Sequence, residues 1–277
     1  MTKMPFIKNT IYKFKRLIKK KYFGFIKGHE NFSIQKLKEI KPLVGNFSKN
    51  IEKEFEISFA QIIGDGFCVS YGAGRMGLFE IMRVKNICKD DEIIILGHTC
   101  VVMVNSIKKV GAVPIYTDID SETLGSDFKS IAKKITKKTK MIIAQHSFGI
   151  PCNIEPISKL AKEHNIFLLE DCALTLGSKI NNKIVGNFGD AALFSTDHTK
   201  PINSLIGGLI YTRNYLLFER LKTSQIKLPS LDKRKQIALW RQVLFESKYR
   251  NPSNEAKVPF LNFFYNILKK FFKLPEP

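Results

Sequence analysis

Three groups of residues have types and spacing that suit chemistry. Glu170 and Asp171 close an apolar run at 166–169 (IFLL). Ser195 closes a second run at 191–194 (AALF) and leads into Thr196-Asp197-His198-Thr199-Lys200. Gly72-Ala73-Gly74-Arg75 follows a third run at 67–70 (FCVS). In open α/β sheets ligands sit beyond the carboxyl ends of the strands. An acid at one strand end and a lysine just past another suit a cofactor held at a pyridine nitrogen and bound to the lysine as an imine. Glycines at a strand-to-helix junction let backbone N–H groups approach a phosphate, and the helix N-terminus adds partial positive charge. Arg75 stands where it supplies a further donor. Each group also has a plainer reading: a solvated lysine, an aspartate ending a strand as a turn or cap, a serine that simply ends its strand. The G-x-G lacks the third glycine of a dinucleotide fingerprint and the lysine of a P-loop, which argues against a nicotinamide dehydrogenase.

The elements that would position these groups alternate. Short apolar runs read as strands at 67–70, 92–96, 113–119, 141–145, 166–169, 191–194 and 208–211. Helical patterns fill 51–61, 76–87, 99–110, 128–135 and 155–163, and a Gly-bounded turn lies at 186–189. Strands separated by helices require parallel pairing in a sheet covered on both faces. The expected architecture is α/β: three layers around a mostly parallel sheet. Further helices are expected at 215–224 and 236–246.

Composition narrows the class. The 277 residues suffice for one large core, or one core and a partial second unit. The formal charge is +20, and much of it lies in the two tails. Five cysteines, with no CxxC pair and no metal-ligand spacing, argue against a disulfide framework and for a reducing compartment. No run approaches the length of a membrane-spanning helix, and no signal-peptide pattern follows the basic start. Residues 1–32 form a basic segment whose Phe6, Ile7, Ile11, Phe14, Leu17 and Ile18 recur at roughly helical spacing. Such a helix either packs its apolar stripe on the body or lies on an anionic membrane. The same two readings apply to the aromatic, basic stretch FLNFFYNILKKFFKL near the C-terminus. Charge alone is weak support for nucleic-acid binding, which is not expected.

The motifs then carry a family resemblance. VSYGAGRMGL, DEIIILGHTCVVMVNSI, GAVPIYTDID, AQHSFGIPCNI, LLEDCA and GNFGDAALFSTDHTK, with the GG-x-I-x-T after them, occur in one order over residues 64–212. In that order and spacing the chain resembles the DegT/DnrJ/StrS sugar-nucleotide aminotransferases, pyridoxal-phosphate enzymes of fold type I. The resemblance implies the large domain of that fold at 33–225, with 226–277 a short helical extension in place of a full C-terminal small domain. It implies Lys200 as the lysine bound to pyridoxal 5′-phosphate and Asp171 as the carboxylate beside the pyridine nitrogen. Gly72, Ala73 and Gly74 match the phosphate cradle, and Ser195 the hydroxyl that joins it.

Departures are also visible. The family usually has threonine where Ala73 stands, a loss that Arg75 is placed to offset. It usually has an aromatic at Cys100, for which His98 is the nearest substitute, and a Gln or His at Leu174. Pro201 biases Lys200 toward extended backbone. By resemblance the amino donor is L-glutamate, the acceptor a nucleotide-linked keto-sugar destined for surface polysaccharide or lipopolysaccharide, and the assembly a homodimer. A cytoplasmic location is expected, with the basic tails as the candidate contact with the inner face of the membrane. The rival expectation is a truncated, non-catalytic relative that serves as a binding or membrane-peripheral protein.

Overall fold

The computed structural model describes residues 34–44, 49–197 and 199–249. The predicted N-terminal basic helix and the aromatic C-terminal stretch lie outside the described residues. The chain divides into two compact units, Ser48–Pro229 and a second made of Met1–Phe47 with Ser230–Pro277. In the second unit the described elements are helix α1 (Ile34–Ile40), a 3₁₀ turn at Lys41–Leu43 and, later in the chain, α8 (Lys233–Tyr249). No helix among the described residues is long and apolar enough to cross a membrane.

The larger unit carries, in chain order, α2 (Lys49–Ile63), β1 (Phe67–Tyr71), α3 (Gly74–Val84), β2 (Glu92–Leu96), α4 (Val101–Lys109), β3 (Val113–Thr117) and α5 (Phe128–Lys134). There follow β4 (Thr139–Gln145), α6 (Ile154–Glu163), β5 (Phe167–Asp171), β6 (Lys179–Ile180), β7 (Lys183–Ile184), β8 (Ala191–Ser195), β9 (Gly208–Thr212) and α7 (Tyr215–Ile226). Seven strands form one sheet in the order β1-β9-β8-β5-β4-β2-β3, and β6 and β7 form a separate hairpin.

Strand alternation divides the core between two faces. Ile93, Ile95, Met141, Ile143, Leu169 and Leu193 face one side, where α3, α4 and α7 supply Leu78, Ile81, Met103, Ile107 and Leu221. Ile94, Ile142 and Leu168 face the other, against Ile131 of α5 and Ile154, Ile157 and Ala161 of α6. Phe59, Ala60 and Ile63 of α2 pack there on Phe194, Leu209 and Tyr211. Strands covered on both faces read as continuous apolar runs, which is why EIIIL and AALF identify themselves.

The sheet is mostly parallel, as expected, with one reversal. β9 pairs antiparallel with both β1 and β8. Two reversals restore direction, so β1 runs with the parallel strands and its carboxyl end emerges on the same edge as theirs. At that edge Gly208 pairs with Tyr71 on one side and Ser195 on the other. A methyl group on Gly208 would collide with the Gly74 backbone nitrogen, so glycine lets the loop after β1 lie directly against β9.

Several boundaries differ from the sequence reading. Helix α3 starts at Gly74, ahead of Met76, because Ala73 is its N-cap and the second glycine after β1 already belongs to its first turn. Strand β3 ends at Thr117, beyond which Ile119 makes only an isolated bridge to Ser126. The β6–β7 hairpin lies between 169 and 186, where no strand was expected; Asn181 and Asn182, at φ 49° and 63°, form its turn.

Candidate active site

The carboxyl ends of β1, β2, β4, β5 and β8 surround a cleft of about 560 Å³. It is lined by Gly72, Ala73, Gly74, Arg75, Cys100, Asp171, Leu174, Ser195 and Lys200, which are the residues singled out from sequence. His98 lines it as well. Thr99, Gln145, His146, Phe148, Asp197 and Thr199 also reach it without having been assigned from sequence. A glutamine, a histidine and a phenylalanine clustered just past a strand of isoleucines would have been the signal.

The two adjacent carboxylates of β5 are put to different uses. Alternation sends Glu170 to the face opposite Asp171. Glu170 is fully buried, and its Oε1 accepts the N–H groups of Phe188 and Gly189, both at 2.6 Å. Its Oε2 accepts Gly186 N–H at 2.7 Å and lies 3.1 Å from His146 Nε2. The turn at 186–189 is thus folded around a buried anion, with charge-assisted bonds that compensate for lost hydration. His146 Nδ1 accepts Cys152 N–H at 3.1 Å. A backbone N–H only donates, so the ring proton sits on Nε2 and points at Glu170.

His146, Glu170 and Cys172 bring three potential ligand atoms within 4.8 Å of one another, but the donor set does not suit a metal. Both Glu170 oxygens are engaged by backbone donors, and burial pushes the Cys172 thiol up to about 12, far from the thiolate a metal needs.

Asp171 faces the cleft and accepts Ala173 N–H at 3.0 Å. Burial lifts its carboxyl above the ordinary carboxylate range, opposed by the Ala173 N–H and the positive charge of Lys200. Lys200 is half-buried in the loop between β8 and β9, with its N–H on Asp197 O at 2.9 Å. Asp197 Oδ1 accepts the N–H and hydroxyl of Thr199 at 3.2 and 3.1 Å. Ser204 Oγ bonds Thr196 Oγ1 and Ile206 O, both at 2.7 Å, so both ends of the loop are tied to the strands.

The loop after β1 presents the N-terminus of α3 to this cleft. Ala73 is extended, at φ −163° and ψ 154°, and provides no side-chain cap. Opposite it, Gln145 Nε2 donates to His98 O at 3.1 Å and to Ser147 Oγ at 3.0 Å, fastening the loop after β2 to the loop after β4.

A family model described as the DegT/DnrJ/EryC1/StrS aminotransferase family matches residues 34–252. The chain belongs to this family. It is 38% identical over 171 residues to a GDP-perosamine synthase of Escherichia coli O157:H7, covering 62% of this chain and 47% of that one. It is 37% identical over 169 residues to the dTDP-3-amino-3,6-dideoxy-alpha-D-galactopyranose transaminase of Aneurinibacillus thermoaerophilus, covering 61% and 47%. The chain therefore spans about half the length of the curated relatives it matches. Among solved structures, the E. coli GDP-4-keto-6-deoxy-D-mannose-3-dehydratase with bound hydrated PLP superposes with a TM-score of 0.64 at 21% identity, over 79% of this chain and 67% of that one. That likeness agrees with the three-layer large domain anticipated from the sequence.

Proposed function

We propose that this family member is a pyridoxal-phosphate-dependent aminotransferase that moves an amino group from an amino acid, L-glutamate by resemblance, to a nucleotide-linked keto-sugar. One observation carries the reading: a single cleft unites Asp171, Lys200, Ser195 and the 72–75 loop, which arrive from separate strand ends.

The residues fit the cofactor. The first N–H groups of α3 have no side-chain cap and suit a phosphate dianion, with the Ser195 hydroxyl and the Arg75 guanidinium beside them in the cleft lining. Thr99 contributes a buried hydroxyl without a hydrogen-bond partner among the described residues, a polar group that a bound molecule would satisfy. When bound, pyridoxal phosphate supplies a conjugated ring that accepts the electron pair released at the amino-bearing carbon. Asp171 holds the countercharge for a protonated ring nitrogen, an interaction that offsets the cost of its own burial. Among the described residues Lys200 is the one lysine in the cleft lining. Its Nζ would be the nucleophile toward the aldehyde of a bound cofactor and the group that would hold or pass on a proton within the cleft. Cys100 and Leu174 complete the walls.

The relatives named above support a sugar nucleotide as acceptor, and polysaccharide synthesis is the destination that the family resemblance implies. We place the reaction in the cytoplasm, carried out by a homodimer, with the basic tails as the candidate contact with the membrane.

The test is an absorbance titration of the purified protein with pyridoxal phosphate, beside Lys200→Ala. A visible band that borohydride traps as a covalent adduct on Lys200, and that L-glutamate bleaches, supports the proposal. A folded protein that gives no band points to a non-catalytic relative with a binding or membrane-peripheral role.

A further inference from the structure

Phe148 departs from the usual behaviour of an aromatic side chain in two ways. It is 62% exposed, and its backbone lies at φ 55°, a left-handed region that bulky residues enter only at a cost in free energy. Most other positions of this kind among the described residues hold residues suited to them: Asn86, Asp90, Asn165, Asn181 and Asn182 have positive φ, whereas Leu124 and Leu205 share the strained region with Phe148. Burial does not compensate at Phe148, whose one ring contact among the described residues is His98, with centroids 6.3 Å apart and planes tilted by 41°.

The surroundings hold this conformation rigidly. Ile150 N–H closes the turn on Ser147 O at 2.8 Å, and Ser178 Oγ donates to Gly149 O at 2.8 Å. Ser147 is fully buried and receives the Gln145 amide, whose nitrogen also holds His98 O. One buried side chain therefore sets the spacing of the loops that carry the two rings. Both rings line the cleft. Gln145 pairs with Asp171 across β4 and β5, and β2 lies on the far side of β4. The rings thus stand on the β2–β4 side of Asp171, whereas Ser195 and the loop bearing Lys200 follow β8 on its other side.

We infer that His98 and Phe148 form a stacking subsite for a ring of the amino-acceptor. The chemistry offered is an exposed aromatic face at the open side of the cleft, which suits the apolar face of a saccharide or a nucleobase. Gln145 is the positioning residue behind it. The inference rests on the aminotransferase reading of the cleft and adds to it the place where the acceptor lies. It also assigns a use to the strain at residue 148.

The test uses the full chain loaded with pyridoxal phosphate. Calorimetric titrations with a GDP-linked hexose, a dTDP-linked hexose and the bare GDP and dTDP compare the wild type with Phe148→Asn and Phe148→Tyr. Phe148→Asn is expected to weaken the better hexose-linked nucleotide about tenfold or more and to leave the cofactor titration unchanged. It is also expected to raise the melting temperature by about 2–4 °C, because asparagine accepts this backbone. Phe148→Tyr is expected to retain wild-type binding. An equal loss for the bare nucleotide assigns the stacked ring to the base, and a loss confined to the hexose-linked form assigns it to the sugar. Unchanged affinity in Phe148→Asn, or a lowered melting temperature, overturns the subsite while leaving the aminotransferase intact. A cofactor-loaded wild type that binds none of the four compounds overturns both.

Discussion

Glu170 Oε2 lies 3.1 Å from His146 Nε2, and this contact ties the residue before Asp171 to the segment leaving β4. Glu170 also holds the N–H groups of Gly186, Phe188 and Gly189. Its replacement by alanine strands these buried donors together with the imidazole N–H. We expect Glu170→Ala to lose about 3–5 kcal/mol in a urea titration, enough to leave much of the protein unfolded. A loss below about 1 kcal/mol would mean that water or a shifted side chain replaces the carboxylate.

Asp171 gives a pH dependence with a defined sign. Burial raises its folded pKa above the unfolded value, so the folded state binds more protons than the unfolded one. Stability of the cofactor-free protein therefore falls as pH rises from about 3.9 toward the folded pKa, and the loss persists above it. Asp171→Asn is expected to remove this slope and to stabilise the cofactor-free protein at neutral pH, while abolishing turnover. Denaturant midpoints across pH, with and without pyridoxal phosphate, check this. Cofactor binding should flatten the wild-type slope, because a cation beside Asp171 lowers its pKa.

Lys200→Ala should leave the fold within about 0.5 kcal/mol of wild type, since the loop is held by Asp197 and Ser204 rather than by the lysine side chain. Turnover should fall by at least about 10²–10⁴-fold from the loss of proton transfer alone. The same substitution removes a positive charge acting on Asp171 and should steepen the pH slope described above. A variant with wild-type turnover would assign the proton to another group.

Gly208→Ala probes the contact between β9 and the cradle. The added methyl meets the Gly74 backbone nitrogen, and backbone cannot swing aside as a side chain does. We expect a loss of about 1–3 kcal/mol and a weaker cofactor titration, because the N-terminus of α3 must move. Unchanged binding would separate the phosphate site from this loop.

The strand ends were legible because two-sided burial writes uninterrupted apolar runs, and the residues that end them, Asp171 and Ser195 among them, stand out by polarity. Lys200 was legible from its place just past such an end. The reversal at β9 was not, since GLIYT reads the same in a parallel or an antiparallel ladder. The β6–β7 hairpin carried its turn signal in Asn181-Asn182, but strands of two residues give no periodicity. Phe148 was hidden for another reason: a sequence does not show that a residue occupies a conformation it disfavours. The Gln145 clasp joins loops that follow two different strands, and no local pattern marks such a contact.

Because β9 stands between β1 and β8, the order of synthesis constrains the order of assembly. β2, β4 and β5 are neighbours that emerge early and can pair as they appear. β1 is made before all of them, yet Phe67 finds its partner Thr212 only after the chain has grown through the Lys200 loop. A nascent chain ending between Gly189 and Gly207 already holds Glu170 with its three backbone donors but has no β9 to seat the loop after β1 against. The side of the cleft bounded by the 72–75 loop is therefore the last part to form, and a ligand arriving earlier would meet an unfinished wall.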